Sequence, residues 1–129
     1  MSIPNEPIVF ISRSRVKPGK VEALRAFLRD GAQGLASSKP RTRAFLAYLD
    51  GDSTTLTIVH LFGDAESMAA HLEGVDQRSE VASEFIETVA LDVYGNPPQP
   101  ILDAMQRSSD SGVALSVLPI FVGGFLRPD

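Results

Sequence analysis

The stretch "TRAFLAYLDGDSTTLTIVHLF", residues 42–62, constrains the fold more than any other part of the chain. Two runs of alternating apolar and polar residues flank a Gly-Asp-Ser turn, and the second run is rich in β-branched residues, so the segment predicts an antiparallel hairpin. In its second arm Leu56, Ile58, His60 and Phe62 share one face, while Thr57, Val59 and Leu61 share the other. The first face is the more apolar and must be covered by something.

The flanking segments supply the cover. "IVFISRSRV" at 8–16 reads as a strand that begins apolar on both faces, with Ile8, Phe10 and Val16 on one side and Val9 and Ile11 on the other. After "KPGK", Val21, Leu24, Phe27, Leu28 and Leu35 recur at helical spacing, predicting a helix that weakens around Gly31 and Gly34. Beyond the hairpin, Asp64 is placed to cap a second helix with the stripe Met68, Leu72 and Val75, which Gly74 interrupts. Asp76 opens another helical segment in which Val81, Ala82, Phe85 and Ile86 face inward, and "TVALDVY" at 88–94 is a fourth strand. The order β-α-β-β-α-β is the ferredoxin-like split βαβ pattern: an α+β fold whose antiparallel sheet carries its helices on one face.

A single domain over 1–129 is expected, with 95–129 as a C-terminal extension. In that extension "GNPPQP" breaks the chain, Ile101, Leu102 and Met105 suggest a short helix, and 113–126 reads as a long last strand. Pro119 and Gly123–Gly124 place that strand at a sheet edge or bend it, where it extends a sheet, its own or a partner's. The sheet face away from the helices exposes Val9, Ile11, Val59 and Leu61, and so bare an apolar surface predicts a partner. A second copy of the chain, giving a symmetric homodimer, is the simplest one.

Charge and composition exclude several classes. A net charge of −4 repels phosphate backbones and anionic lipid, so neither nucleic acid nor membrane is an expected partner. The sequence has no cysteine, which removes thiolate chemistry and Cys-ligated zinc and fits a reducing compartment. No basic leader and no apolar run of about 18 residues is present, so a soluble cytoplasmic protein is expected.

The chain has two histidines, His60 and His71, at the ends of the strand-to-helix corner "HLFGDAESMAAH". His60 lies about 13 Å back along the strand from Asp64 and His71 about 10 Å along the helix, so both come to similar height. Two readings stand. Either the imidazoles share one cavity, or His60 is a core histidine bonded to a carbonyl and His71 is solvated. In the first, a neutral imidazole is a competent base for a phenolic or enolic substrate. A metal held with Asp64 or Glu66 is disfavoured, since capping and the helix dipole already explain those two. Arg13, Arg15, Lys17, Lys20, Arg41 and Arg43 are read as solvated strand ends rather than as a carboxylate site.

"VKPGKVEALRAFL" at 16–28 together with "HLFGDAESMAAHL" at 60–72 resembles the antibiotic biosynthesis monooxygenase family of the dimeric α/β-barrel superfamily, over residues 8–94. The resemblance implies a dimer packed sheet to sheet. It also implies one of several activities: oxidation of polycyclic aromatics with O₂ and no metal or flavin, haem degradation, or lactone isomerisation. The haem-degrading branch uses Asn, Trp and His; this chain has no Trp, Phe62 stands in the region of the indole, and only the histidine carries over, onto His71. The expectation is a cofactor-independent monooxygenase, with no metal, acting on a small aromatic or enolisable substrate. Its pocket would be lined by Phe10, Leu56, Ile58, Phe62 and Met68, with His71 as base and His60 as orienting group. The alternatives are a non-catalytic dimeric ligand-binding or structural protein, and a cofactor-free isomerase or lyase.

Overall fold

The computed structural model describes residues 6–127, in the order β1 (Ile8–Val16), α1 (Val21–Ser38), β2 (Thr42–Leu49), β3 (Thr55–Phe62), α2 (Ala65–Leu72), α3 (Val75–Ala82), β4 (Ile86–Tyr94), α4 (Gln99–Asp110) and β5 (Ala114–Leu118). The strands form one sheet in the order β2-β3-β1-β4-β5. The first four are antiparallel to their neighbours and carry the ferredoxin-like connectivity.

The expected alternation holds along the hairpin. Asp50 accepts hydrogen bonds from the backbone N–H groups of Thr54 and Thr55 and fixes the turn. The register that follows pairs Leu49 with Leu56, Ala47 with Ile58 and Phe45 with His60. β1 lies between β3 and β4, and its Phe10 faces His60 on one side and Val93 on the other. Phe10, His60 and Phe45 therefore form one row across three strands.

The core divides in two. Ile8, Phe10, Phe62, Met68, Val93 and Met105 form one cluster, under α2 and α4. Val16, Leu24 and Leu56 form the other, with Phe27, Leu28, Phe85 and Ile86 packed against them. The space between the clusters is where the site lies.

Three expectations are corrected. α1 runs unbroken through Gly31 and Gly34 to Ser38, its inward stripe outweighing two weak helix formers. Ile86 is the first residue of β4 rather than the end of a helix. The last strand is five residues long, ending before Pro119, which has no N–H to continue the ladder. It pairs in parallel with β4 of its own chain, a geometry that the α4 crossover allows. The residues beyond it cross toward β2, where Nη2 of Arg43 donates to the carbonyl of Arg127 at 3.1 Å.

The outer sheet face stays open. Leu46, Tyr48 and Leu118 on it are 46%, 58% and 47% exposed, and Val9, Ile11, Val59 and Leu61 are half-buried. Ion pairs of Arg13 with Asp92 and Arg15 with Glu87 run beside this apolar area. The arginines of β1 are thus paired with carboxylates of β4, where the sequence was read as giving solvated strand ends. No helix among the described residues is long and apolar enough to cross a membrane.

Candidate active site

The strand-to-helix corner is built by Asp64, whose carboxylate accepts from the backbone N–H of Ser67 at 2.8 Å and starts α2. This capping holds the Asp64 carboxyl below its ordinary range. α2 ends after Leu72, and Gly74 turns the chain at φ +81°, a conformation costly for any other residue, before α3 begins. The interruption lets α3 swing away from the sheet line and leaves His71 at the end of α2, facing inward.

His60 and His71 are both buried, and their rings meet at 5.2 Å between centroids and 78° between planes. Phe10 stacks on His60 at 5.0 Å, and Phe45 stands edge-on to it at 5.2 Å. Phe62 lies 5.3 Å from the His71 ring. The aromatic surround follows directly from the cross-strand row described above.

Nδ1 of His60 lies 3.0 Å from the carbonyl oxygen of Phe10. A carbonyl only accepts, so Nδ1 carries the proton and the neutral ring presents the Nε2 lone pair. Nδ1 of His71 lies 2.7 Å from Oγ1 of Thr42. When the threonine hydroxyl donates, His71 presents Nε2–H instead. Neither Nε2 has a hydrogen-bond partner among the described residues, where no buried side-chain nitrogen or oxygen is left unpaired. Both Nε2 atoms thus reach open space.

That space is a cavity of about 790 Å³ between the sheet, α1 and α3, lined by both histidines, Phe10, Phe45, Ile58 and Leu24 among others. Its walls are mostly apolar. Burial lowers the His60 pKa from 6.5 to about 4, with the charge of Arg78 adding to the effect and the Phe10 carbonyl opposing it. The His71 pKa is also lowered to about 4, chiefly by burial, then by His60, Arg78 and Lys39. Both rings are neutral at physiological pH.

Arg78, on α3, also lines the cavity. Its guanidinium donates to the carbonyls of His71 at 2.6 Å and Glu73 at 2.8 Å. Unlike Arg13, Arg15 and Arg41, it has no carboxylate partner among the described residues, and partial desolvation lowers its pKa. A cation held by carbonyls beside two neutral imidazoles is arranged to meet an anion that the described residues do not supply.

Of the residues expected at the pocket, Phe10, Ile58, His60 and His71 line it. Leu56, Phe62 and Met68 are fully buried in the two core clusters and do not reach it. Leu24, Phe27 and Leu35, read from the sequence only as the stripe of α1, also line it, as do Phe45 and Arg78, which were not singled out. Phe45 was within reach of sequence reasoning, because counting back from the hairpin turn pairs it with His60. Arg78 carries no such mark. Tyr48 and Tyr94 lie on the outer sheet face, away from the cavity. Among the described residues no three His, Asp or Glu side chains converge on one point.

No family model matches the sequence, and no curated protein matches it. Solved structures do share its fold. MupZ from Pseudomonas fluorescens superposes with a TM-score of 0.70 at 16% identity, over 96% of this chain and 97% of that one. A putative antibiotic biosynthesis monooxygenase from Chloroflexus aurantiacus gives 0.56 at 23% identity, covering 72% of this chain and 93% of its own. One from Bacteroides thetaiotaomicron gives 0.55 at 17%, covering 64% and 85%. The last two carry the family name that the sequence resemblance suggested, and what they share with this chain is the fold. The likeness to MupZ spans nearly the whole chain, and the other two span smaller shares of it.

Proposed function

We propose that the protein is a cofactor-independent monooxygenase acting on a small aromatic or enolisable substrate in the cavity between sheet and helices. The observation that carries this reading is the pair of neutral, desolvated imidazoles opening onto one apolar cavity beside a guanidinium that has no carboxylate partner among the described residues. His60 Nε2 takes a proton from an acidic O–H or C–H of the substrate. The enolate or phenolate so formed is held by Arg78 and by Nε2–H of His71. The carbonyl of Phe10 leaves His60 Nε2 free to act as base, and with the Thr42 hydroxyl donating to Nδ1 His71 becomes the donor, the reverse of the division expected from sequence.

Proton transfer from a phenol of pKa about 10 to an imidazole of pKa about 4 is uphill by about 8 kcal/mol. Pairing of the new anion with imidazolium and Arg78 in an apolar cavity offsets part of this, and an acidic substrate lowers the rest. The carbanion form then gives one electron to O₂, and the radical and superoxide combine in a C–O bond. Loss of water from the hydroperoxide turns a CH₂ group into a carbonyl, so one oxygen atom enters the product and the other leaves as water. An anthrone, whose CH₂ is acidic and flanked by rings, has the required chemistry.

The test is oxygen uptake with a hydroxylated anthrone. Uptake with stoichiometric quinone, reduced at least 100-fold in His60→Gln, supports the proposal. Binding without turnover would make the protein a ligand-binding module. A second reading rests on the complementary protonation of the two rings: one accepts and the other donates, as an isomerase or lyase requires. Such an enzyme turns over equally well without O₂.

Two further parts of the reading have partial support. The open apolar face of the sheet favours a homodimer packed sheet to sheet. The absence of cysteine suits a cytoplasmic location.

A further inference from the structure

The inward face of β1 holds an anomaly that the histidines do not explain. Following Phe10, the positions that point at the helices are Ser12 and Ser14, on the central strand of the sheet, where apolar residues are the rule. Both line the cavity, as does Thr88 of β4. The cross-strand neighbours of Ser12 are Ile58 and Leu91, which offer it nothing polar. Its hydroxyl has no side-chain partner among the described residues. Ser14 is 3% exposed, and its Oγ is 3.4 Å from Oγ1 of Thr88, at the limit of a hydrogen bond. A hydroxyl facing an apolar space is costly unless something in that space bonds to it.

From these residues we infer that the cavity carries a second, polar subsite: a ladder of the Ser12, Ser14 and Thr88 hydroxyls that reads oxygen substituents along an elongated substrate. This rests on the reading of the cavity as a substrate site with its reacting end at His60. Along β1 the ladder begins about 7 Å from the His60 row, at Ser12, and continues about 13 Å from it, at Ser14 and Thr88. Those spacings match fused rings or a stretched chain bearing hydroxyl or carbonyl groups on the edge remote from the reacting carbon. The apolar wall of α1 covers the opposite side of such a ligand. The substrate class is therefore a multiply oxygenated, otherwise apolar molecule, rather than a plain hydrocarbon or a single phenol.

The experiment compares 2,6-dihydroxynaphthalene with 6-methyl-2-naphthol by calorimetric titration of the full chain, with the ring-proton signals of the two histidines followed in parallel. The two probes differ only in the group that reaches Ser12. The ratio of their dissociation constants should move against the diol by about five- to tenfold in Ser12→Ala, as expected for one lost hydrogen bond, and stay at its wild-type value in Ser12→Thr. The three-ring 2,6-dihydroxyanthracene should report Ser14→Ala in the same way. If both probes bind and perturb the histidine signals but the ratio is the same in Ser12→Ala, the ladder is refuted and the histidine site stands. If neither probe perturbs a histidine, the reading of the cavity fails and the ladder fails with it.

Discussion

The rings of His60 and His71 meet edge to face at 5.2 Å, so that a proton on either opposes a proton on the other. Each ring, with its pKa lowered from 6.5 to about 4, is held neutral by the fold. In the unfolded chain both take up protons below about pH 6.5, and the folded protein does not follow until about pH 4. Stability contributed by the neutral rings is thus complete above 6.5 and is lost as pH falls through that window. The upper bound is about 3 kcal/mol for each histidine. Urea denaturation at pH 7.5 and at pH 5 should show the loss, and His60→Gln should flatten the dependence. A stability that is constant between pH 7.5 and 5 would contradict the burial of the pair.

Thr42 ties β2 to the end of α2 through a hydrogen bond with Nδ1 of His71. Thr42→Val keeps the shape and removes the hydroxyl, leaving Nδ1 of His71 without its partner at a cost of about 1–3 kcal/mol. Heteronuclear NMR of the imidazole nitrogens should then show the His71 tautomer redistributing while His60 keeps its proton on Nδ1. An unchanged His71 tautomer would mean that Thr42 does not set it.

Arg78 acts on both rings at once. Its charge lowers the pKa of His60 and of His71, so Arg78→Met should raise both, as read by titrating the ring protons. The same change removes two hydrogen bonds to the carbonyls of His71 and Glu73, and melting should register about 1–3 kcal/mol. If Arg78 also holds the substrate anion, turnover in Arg78→Lys falls although the charge is kept, because the planar fork is lost. Histidine pKa values that stay put in Arg78→Met would remove Arg78 from the site.

Val59 and Leu46 are paired neighbours on the open face of the sheet. A homodimer closing over that face would bury both, so Val59→Glu should convert a dimer to a monomer in sedimentation at micromolar concentration while leaving the far-ultraviolet circular dichroism intact. A monomeric parent protein would count against the sheet-to-sheet arrangement and leave the apolar face unexplained.

What could be read from sequence followed periodicity. The alternation of Leu56, Ile58, His60 and Phe62 placed both the inward face of β3 and the histidine, and Asp64 announced its own helix. Similar height along strand and helix allowed His60 and His71 to meet, and their rings lie 5.2 Å apart, while His60 also makes the carbonyl bond of the alternative reading. Periodicity says which way a side chain faces, however, and not how far the opposing layer stands off. Leu56, Phe62 and Met68 face inward as Ile58 does, yet they meet packed neighbours where Ile58 meets empty space. That difference is set by the position of α1 and by the break at Gly74, which depend on the whole fold. Arg78 was invisible for the same reason, since its importance lies in having no carboxylate partner among the described residues. The parallel pairing of β5 was equally unmarked, because strand direction is chosen by where α4 delivers the chain.

The hydrogen bond between His60 and the Phe10 carbonyl joins residues 50 positions apart. The β2–β3 hairpin is a local closure, whereas β1 must reach His60 across a long stretch of chain, and contacts of high sequence separation form slowly. Between pH 4 and 6.5 that arrival must expel a proton, so refolding in a weakly buffered dye solution would release a pulse of acidity timed to the closure of the central sheet. The residue assigned to chemistry in the finished protein is also a clock for its assembly.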